Sequence, residues 1–192
     1  MKRPNVGEQR VKRLKPSALV QRFAALVAES AGDKPILDVA CGSGRNANVF
    51  FGLGCDVICI DKDLNGFRSV EPIIDHAPLR SATPHLCLRR VDLMSDPWPF
   101  GANSIGGILN VHFLLPALFP FFEKSLKSKG YLLLETVSGC GGNYVQLPKA
   151  GEIRSAFEKA FDLEFYKERK VGPEKCDAVT VQLLAKRRTI PA

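Results

Sequence analysis

With 192 residues, 45% of them apolar and 24% charged, the chain has the make-up of one globular domain with a sizeable core and no room for a second catalytic domain. Its formal charge of +7 sits at the ends: residues 1–22 hold seven Lys/Arg against Glu8 alone, Lys186-Arg187-Arg188 add three more, and residues 23–185 carry −2. No stretch approaches the run of roughly 18 apolar residues that a membrane span needs, so no membrane partner is expected.

Residues 1–15 have little apolar content and read as a flexible basic arm, with residues 16–192 as a single domain. Gln21 and Arg22 interrupt the basic start before any continuous apolar stretch, which argues against a secretory leader. An Arg/Lys-rich, acid-poor start is also what an organellar transit peptide offers. The six cysteines, at 41, 55, 59, 87, 140 and 176, include no CxxC pair. They read as reduced thiols of a cytoplasmic protein, not as a disulfide framework. Cysteines and histidines lack zinc-type spacing, and no metal is expected.

From Pro16-Ser17 the spacing of Leu19, Val20, Phe23, Leu26 and Val27 predicts a helix closed by Gly32. Ile36–Val39 reads as the first strand, Arg45 to Leu53 as a helix closing at Gly54, and Asp56 to Ile60 as the second strand. Residues 64–78 are ambiguous, with a weak period around Phe67, Val70, Ile73 and Ile74 that Pro72 interrupts. His85–Val91 alternates as a third strand. Pro97, Pro99, Gly101 and Asn103 mark a loop in which Trp98 is expected to pack on the sheet edge. Ser104 to Asn110 is a fourth strand thinned by two glycines, Leu114 to Lys129 a helix punctuated by Pro116 and Pro120, and Tyr131–Thr136 a fifth strand. Val137–Lys149 is a Gly-rich connection and Glu152–Phe161 a helix. Leu163–Arg169 and Ala178–Ala185 are strands joined by a turn at Gly172-Pro173, with no crossover helix between them, so they pair antiparallel. Alternating β and α units that close on such a pair describe an α/β protein with a doubly wound, mostly parallel sheet.

The chemistry gathers at Ile36-Leu37-Asp38-Val39-Ala40-Cys41-Gly42-Ser43-Gly44-Arg45-Asn46-Ala47, where a strand runs into a glycine-bearing turn that opens a helix. Glycines at 42 and 44 let a ligand approach the main chain, and the helix start offers free N–H groups. Such a turn at the carboxyl end of a strand is where doubly wound folds hold nucleotide-like ligands. Val57-Ile58-Cys59-Ile60-Asp61 ends the second strand with a carboxylate, placed to accept both hydroxyls of a ribose.

Asp38-Val39-Ala40-Cys41-Gly42-Ser43-Gly44 resembles motif I of the class I S-adenosylmethionine-dependent methyltransferases, (D/E)-x-G-x-G-x-G, with Ala40 in place of the first glycine. The resemblance spans residues 33 to 186, and the longer string D-x-A-C-G-x-G-R-N is most similar to tellurite-resistance-type and other small-molecule methyltransferases. It implies a seven-stranded sheet of order 3-2-1-4-5-7-6, with S-adenosyl-L-methionine as cofactor. It also implies site roles: Asp38 orients the methionine amino end, and Ala40, Cys41, Gly42 and Gly44 lie along the amino-acid and ribose parts. Asn46 and Lys62 join the cofactor contacts, Asp92 accepts the adenine amino group, and Leu93 lies on the ring. Asn110-Val111-His112-Phe113 places Asn110 and Val111 beside the cofactor, and His112 is the candidate to take the acceptor's proton. In the loop Gly139 to Pro148, Asn143 and Tyr144 are candidate substrate contacts.

Each assignment has a plainer counterpart. Asp38 and Asp92 serve equally well as turn caps, His112 as a loop hydrogen bond, the glycine loop as a connector and the arm as a solvated tail. A small-molecule acceptor is the reading favoured here. An RNA methyltransferase that grips phosphates through residues 1–15, and a non-catalytic protein of this fold, are the alternatives. A nicotinamide oxidoreductase is disfavoured by Ala40, Arg45, the antiparallel ending and the short length. The sequence leaves oligomeric state open.

Overall fold

The computed structural model describes residues 15–67, 84–136, 147–172 and 177–189. Helix α1 (Ala18–Ala31) starts at Ser17, whose Oγ accepts the N–H groups of Leu19 and Val20, and stops at Gly32, where φ turns positive at 63°. Strand β1 (Ile36–Val39) follows, then α2 (Ala47–Gly52), β2 (Val57–Asp61), β3 (Leu86–Arg90) and β4 (Ile105–Val111). A 3-10 turn (Pro116–Leu118) leads into α3 (Phe119–Ser125) and β5 (Leu126–Glu135). The described chain closes with α4 (Glu152–Phe157), β6 (Phe161–Lys170) and β7 (Val179–Arg187).

All seven strands form one sheet of order β3-β2-β1-β4-β5-β7-β6. Strands β1 to β5 pair parallel, whereas β7 runs antiparallel to both β5 and β6. This is the expected order, with the antiparallel ending where the missing crossover placed it.

Alternation along the strands splits the core in two. Ile36, Val57, Leu109 and Leu133 face Val20, Val27 and Ala28 of α1 and Phe50 of α2. Leu37, Val39, Ile108, Leu132, Leu134 and Leu183 face Leu118, Phe122 of α3, and Ile153 and Phe157 of α4. Each fully buried Val, Leu, Ile or Phe among them contributes about 1.5–3 kcal/mol. The glycines of β4 have a packing reason. A Cβ on Gly106 would stand 2.7 Å from the Ala31 Cβ and 2.8 Å from the Lys34 carbonyl oxygen, and one on Gly107 would stand 2.7 Å from Val27 Cγ1. Bare backbone at these positions lets α1 lie directly on the sheet.

Four details differ from the sequence expectation. The helix read over Leu114 to Lys129 is confined to Phe119–Ser125, because Pro116 and Pro120 fit only first turns and Leu126 already pairs with Ile105 across a register shift. The helix read over Glu152–Phe161 stops at Phe157, and Phe161 opens β6. Helix α2 begins at Ala47, two residues after Arg45. Trp98 stacks on Phe121, meets Phe100 edge-on and packs tilted on Phe122, so it packs on α3 and the second face of the sheet and not at the sheet edge.

Register sets the site. Val39 pairs with Ile60 on one side and Asn110 on the other, and Val111 pairs with Glu135. The carboxyl ends of β2, β1, β4 and β5 therefore finish level with one another, with the strand order reversing between β1 and β4.

Candidate active site

At the end of β1, Ala40 takes a φ of 54°, a left-handed conformation that favours the glycine the motif I pattern has there. Gly42 and Gly44 follow at φ 53° and 74°. The two glycines differ in surroundings. Among the described residues, a Cβ on Gly42 would meet nothing within 4 Å, so they leave the space in front of this backbone open. A Cβ on Gly44 would run into the ring of Phe67, so this glycine admits the chain that follows β2.

Asp61 closes the turn from the next strand. Its Oδ2 accepts the Gly42 N–H at 2.8 Å and its Oδ1 accepts the Asp63 N–H at 3.0 Å. An ionised carboxylate accepts about four hydrogen bonds, so capacity remains for a pair of hydroxyls. Asp38 is 2% exposed, and its Oδ2 accepts the Ala47 N–H at 3.1 Å, which fixes the first turn of α2. Burial pushes its pKa up to about 7, against the opposing pull of the Ala47 N–H and of Arg45. Cys41 is buried in the same turn, and its N–H reaches the Ile60 carbonyl at 3.1 Å. Asn46 is also buried, and its Oδ1 accepts the Ser17 N–H at 2.9 Å, so this side chain ties α1 to the turn.

Beyond β2 and β3 lies a cavity of about 680 Å³ lined by Lys62, Asp63, Leu64, Asn65, Arg90, Asp92 and Asp96. Lys62 and Asp92 thus line one cavity. Its wall is largely charged, with Leu64 as its apolar member, where a purine site ordinarily has more apolar surface. Asp92 caps the turn that follows β3, the plainer of the two readings of this residue. Its Oδ1 accepts the Met94 N–H at 3.0 Å, and its own N–H donates to Asp96 at 2.8 Å. Leu93 packs against the second core cluster and does not line the cavity.

At the end of β4, Asn110 is 1% exposed, and neither its amide oxygen nor its nitrogen has a partner among the described residues. Val111 is buried in the first core cluster. His112 takes a φ of 65°, which costs a residue with a Cβ about 1–3 kcal/mol. Its N–H reaches the Glu135 carbonyl at 2.7 Å. Its Nδ1 lies 2.8 Å from an Arg45 guanidinium nitrogen. Because arginine only donates, Nδ1 is the acceptor and the ring proton sits on Nε2. Nε2 lies 3.8 Å from Glu135 Oε1. Burial, and then Arg45, hold the His112 pKa below the ordinary value.

Glu135 accepts from Ser17 Oγ on one oxygen and from Gln182 Nε2, at 3.4 Å, on the other. Arg45 also donates to the Lys15 carbonyl at 3.3 Å. Ser17, Arg45, Glu135 and Gln182 were not singled out from the sequence as site residues. Glu135 carried a signal like that of Asp61, an acid ending an apolar strand. Asn143 and Tyr144 lie outside the described residues. Among the described residues, no three His, Cys, Asp or Glu side chains converge as a metal site.

The strand order, the antiparallel ending and the glycine turn after β1 define the class I S-adenosylmethionine-dependent methyltransferase fold. No protein-family model matches the chain, and no curated protein sequence does. Among solved structures, the chain is similar to an S-adenosylmethionine-dependent methyltransferase from Methanosarcina mazei, at 15% identity and a TM-score of 0.58, over 91% of this chain and 99% of that one. A putative methyltransferase from Listeria monocytogenes matches at 13% identity and a TM-score of 0.59, over 90% and 99%. The 1,6-didemethyltoxoflavin-N1-methyltransferase of Burkholderia thailandensis, with its substrate and S-adenosylhomocysteine bound, matches at 18% and 0.53, over 90% and 79%. The [4+2]-cyclase SpnF matches at 16% and 0.57, over 88% and 80%. At these identities the likeness is one of fold.

Proposed function

We propose that the chain is an S-adenosyl-L-methionine-dependent methyltransferase acting on a small-molecule acceptor. The observation that carries this reading is the Asp61–Gly42 hydrogen bond of 2.8 Å beside backbone that opens on free space. A second strand's carboxylate and an unobstructed glycine turn are joined where a ribose and an amino-acid chain would lie along them. Three observations support this reading: Asp61 keeps acceptor capacity, Asp38 is a carboxyl at the foot of the same turn, and the cavity lined by Asp92 also takes in Lys62 and Asp63, which follow β2.

Bound there, the cofactor would supply a methyl group on a sulfonium, which needs in-line approach more than acid or base help. The protein's part is placement and exclusion of water. Asp61 would hold the ribose hydroxyls while its bond to Gly42 keeps the turn in shape. Asp38 would hold the ammonium, and Asp92 the adenine amino group. His112 has its basic nitrogen engaged by Arg45, so we read it as a positioning residue at the acceptor side and not as a free base. A cytoplasmic location accompanies this reading. In the described residues, no helix is long and apolar enough to cross a membrane.

Calorimetry with S-adenosylhomocysteine tests the assignment: binding is expected, and no heat and no thermal shift at millimolar ligand refute it. Asp61→Ala is expected to weaken binding at least about tenfold, since it removes charge-assisted hydrogen bonds. An unchanged affinity would remove the ribose role. Because the same fold serves a [4+2]-cyclase, transfer of labelled methyl to a small-molecule fraction of cell extract is the test of activity.

An RNA acceptor is the second reading, favoured by one observation. The Lys15 carbonyl is held by Arg45, so the basic segment joins the described chain beside His112.

A further inference from the structure

We infer that the face of β6 and β7 beside the start of α1 is a docking surface for the phosphate backbone of single-stranded RNA. Strand β6 forms one margin of the sheet, and its side chains alternate between the two faces. Phe165 packs on the first core cluster, opposite Leu184, so Lys167 and Arg169 project from that same face. The register agrees: Lys167 pairs with Gln182, whose amide reaches Glu135 and so the Ser17 cap of α1. Across β7, the guanidinium carbon of Arg22 on α1 lies 4.7 Å from the ring centres of both Phe23 and Phe165. Three cations from two elements thus border one face, with Lys167 and Arg169 about 7 Å apart along their strand.

The fold does not consume these charges. Arg22, Lys167 and Arg169 are exposed, and none of the ion pairs among the described residues includes them. The acids of this face are engaged elsewhere: Glu164 by Lys186 and the Tyr131 hydroxyl, Glu135 by Ser17 and Gln182. Glu168 turns to the opposite face, where it accepts the Gly151 N–H at 2.9 Å and the Tyr166 hydroxyl. Residues 23–185 sum to −2, so the positive charge here is a local concentration. Lysine on an edge strand also deters pairing with other chains, which accounts for Lys167 alone. It does not account for Arg22, which stands on a helix and faces the same strip.

Position and charge select the partner. Glu135, Gln182 and Lys167 form one row across β5, β7 and β6, so the surface continues from the end of β5 that carries the candidate site. The described chain also begins there, with the Lys15 carbonyl held by Arg45, and residues 1–14 bring five further Lys/Arg against Glu8. Three cations make a weak contact by themselves; with the charge that precedes Lys15 they match a polyanion. The two rings of the strip are covered by Arg22, so the bound strand is held through its phosphates and not by stacked bases.

Fluorescence anisotropy of the full chain with a labelled oligouridylate, titrated at several salt concentrations, tests this surface. Lys167→Glu with Arg169→Glu is expected to lower affinity about tenfold or more, and to flatten the salt dependence by about 1.4 in slope, or about 0.7 for each of two phosphate contacts. Lys124→Glu with Lys159→Glu makes the same change in net charge at exposed positions on α3 and after α4. That pair is expected to bind within about twofold of the native chain, because separated surface charges are screened. Lys167→Gln with Arg169→Gln repeats the test if the glutamates lower the melting temperature. None of these residues belongs to the candidate active site, so S-adenosylhomocysteine affinity is expected to be the same in every chain, and the RNA result stands whatever that affinity is. The inference is overturned if the native chain binds no oligouridylate, if both charge reversals weaken it equally, or if the chain sediments with phosphatidylserine vesicles and not with RNA.

Discussion

Asp38 is a site residue whose ionisation the fold alters strongly. Its carboxyl would ionise near 3.8 in an unfolded chain and holds its proton to about 7 when buried under α2. The folded state therefore binds the proton more tightly. The stability this contributes is complete below about pH 4 and is lost as the pH rises through 7. Asp38→Asn keeps the shape and the acceptor for Ala47 without the titration. It is expected to flatten the fall in melting temperature that the native protein shows between pH 4 and pH 7. An ammonium placed beside Asp38 favours the charged form, so binding S-adenosylhomocysteine near pH 6.5 is expected to release a proton. Calorimetry in buffers of different ionisation heat reads that release as a buffer-dependent enthalpy. Asp38→Asn should abolish the dependence, and a buffer-independent enthalpy in the native protein would count against the ammonium role.

Among the elements, α1 does two jobs. Its apolar stripe (Val20, Val27, Ala28) covers one face of the sheet, and its cap residue Ser17 reaches Glu135 and, through its N–H, Asn46. The first job depends on the missing side chains of β4. Gly106→Ala would push a methyl group against Ala31 and the Lys34 carbonyl, both parts of packed backbone that cannot yield cheaply. The expected cost is about 1–3 kcal/mol, read as a lowered denaturation midpoint with an unchanged slope. Loss of midpoint without loss of cofactor affinity would assign these glycines to packing alone. The same element scale explains the misplaced helix end. Leu126 to Lys129 is compatible with helix by its residue types, but the neighbouring Ile105 offers a strand partner, and pairing across the sheet outweighs local propensity.

For the whole molecule, charge and fold are divided along the chain. Residues 1–14 hold five Lys/Arg against Glu8, so a chain starting at Lys15 carries +3 in place of +7. Such a truncation keeps Ser17, Asn46 and the Arg45 contact to Lys15, with every contact among the described residues, and is expected to melt within about 1–2 °C of the full chain. It should lose any salt-sensitive RNA binding that the full chain shows, measured as the slope of affinity against salt. Retained RNA binding would place that function on the folded body. Much of this architecture was legible from periodicity and punctuation: the strands β1 and β2, the helix from Ser17 to Gly32, the antiparallel ending and the glycine turn after β1 all follow from local pattern and turn chemistry. These are properties of neighbouring residues, which a sequence states directly. The sequence did not show that Asp38 is buried enough to hold a proton near neutrality, that Gly106 and Gly107 exist to admit α1, or that Ser17, Arg45, His112 and Glu135 form one network. Those depend on residues up to 118 positions apart meeting at the ends of parallel strands, and only the strand register of the folded sheet decides which of them touch.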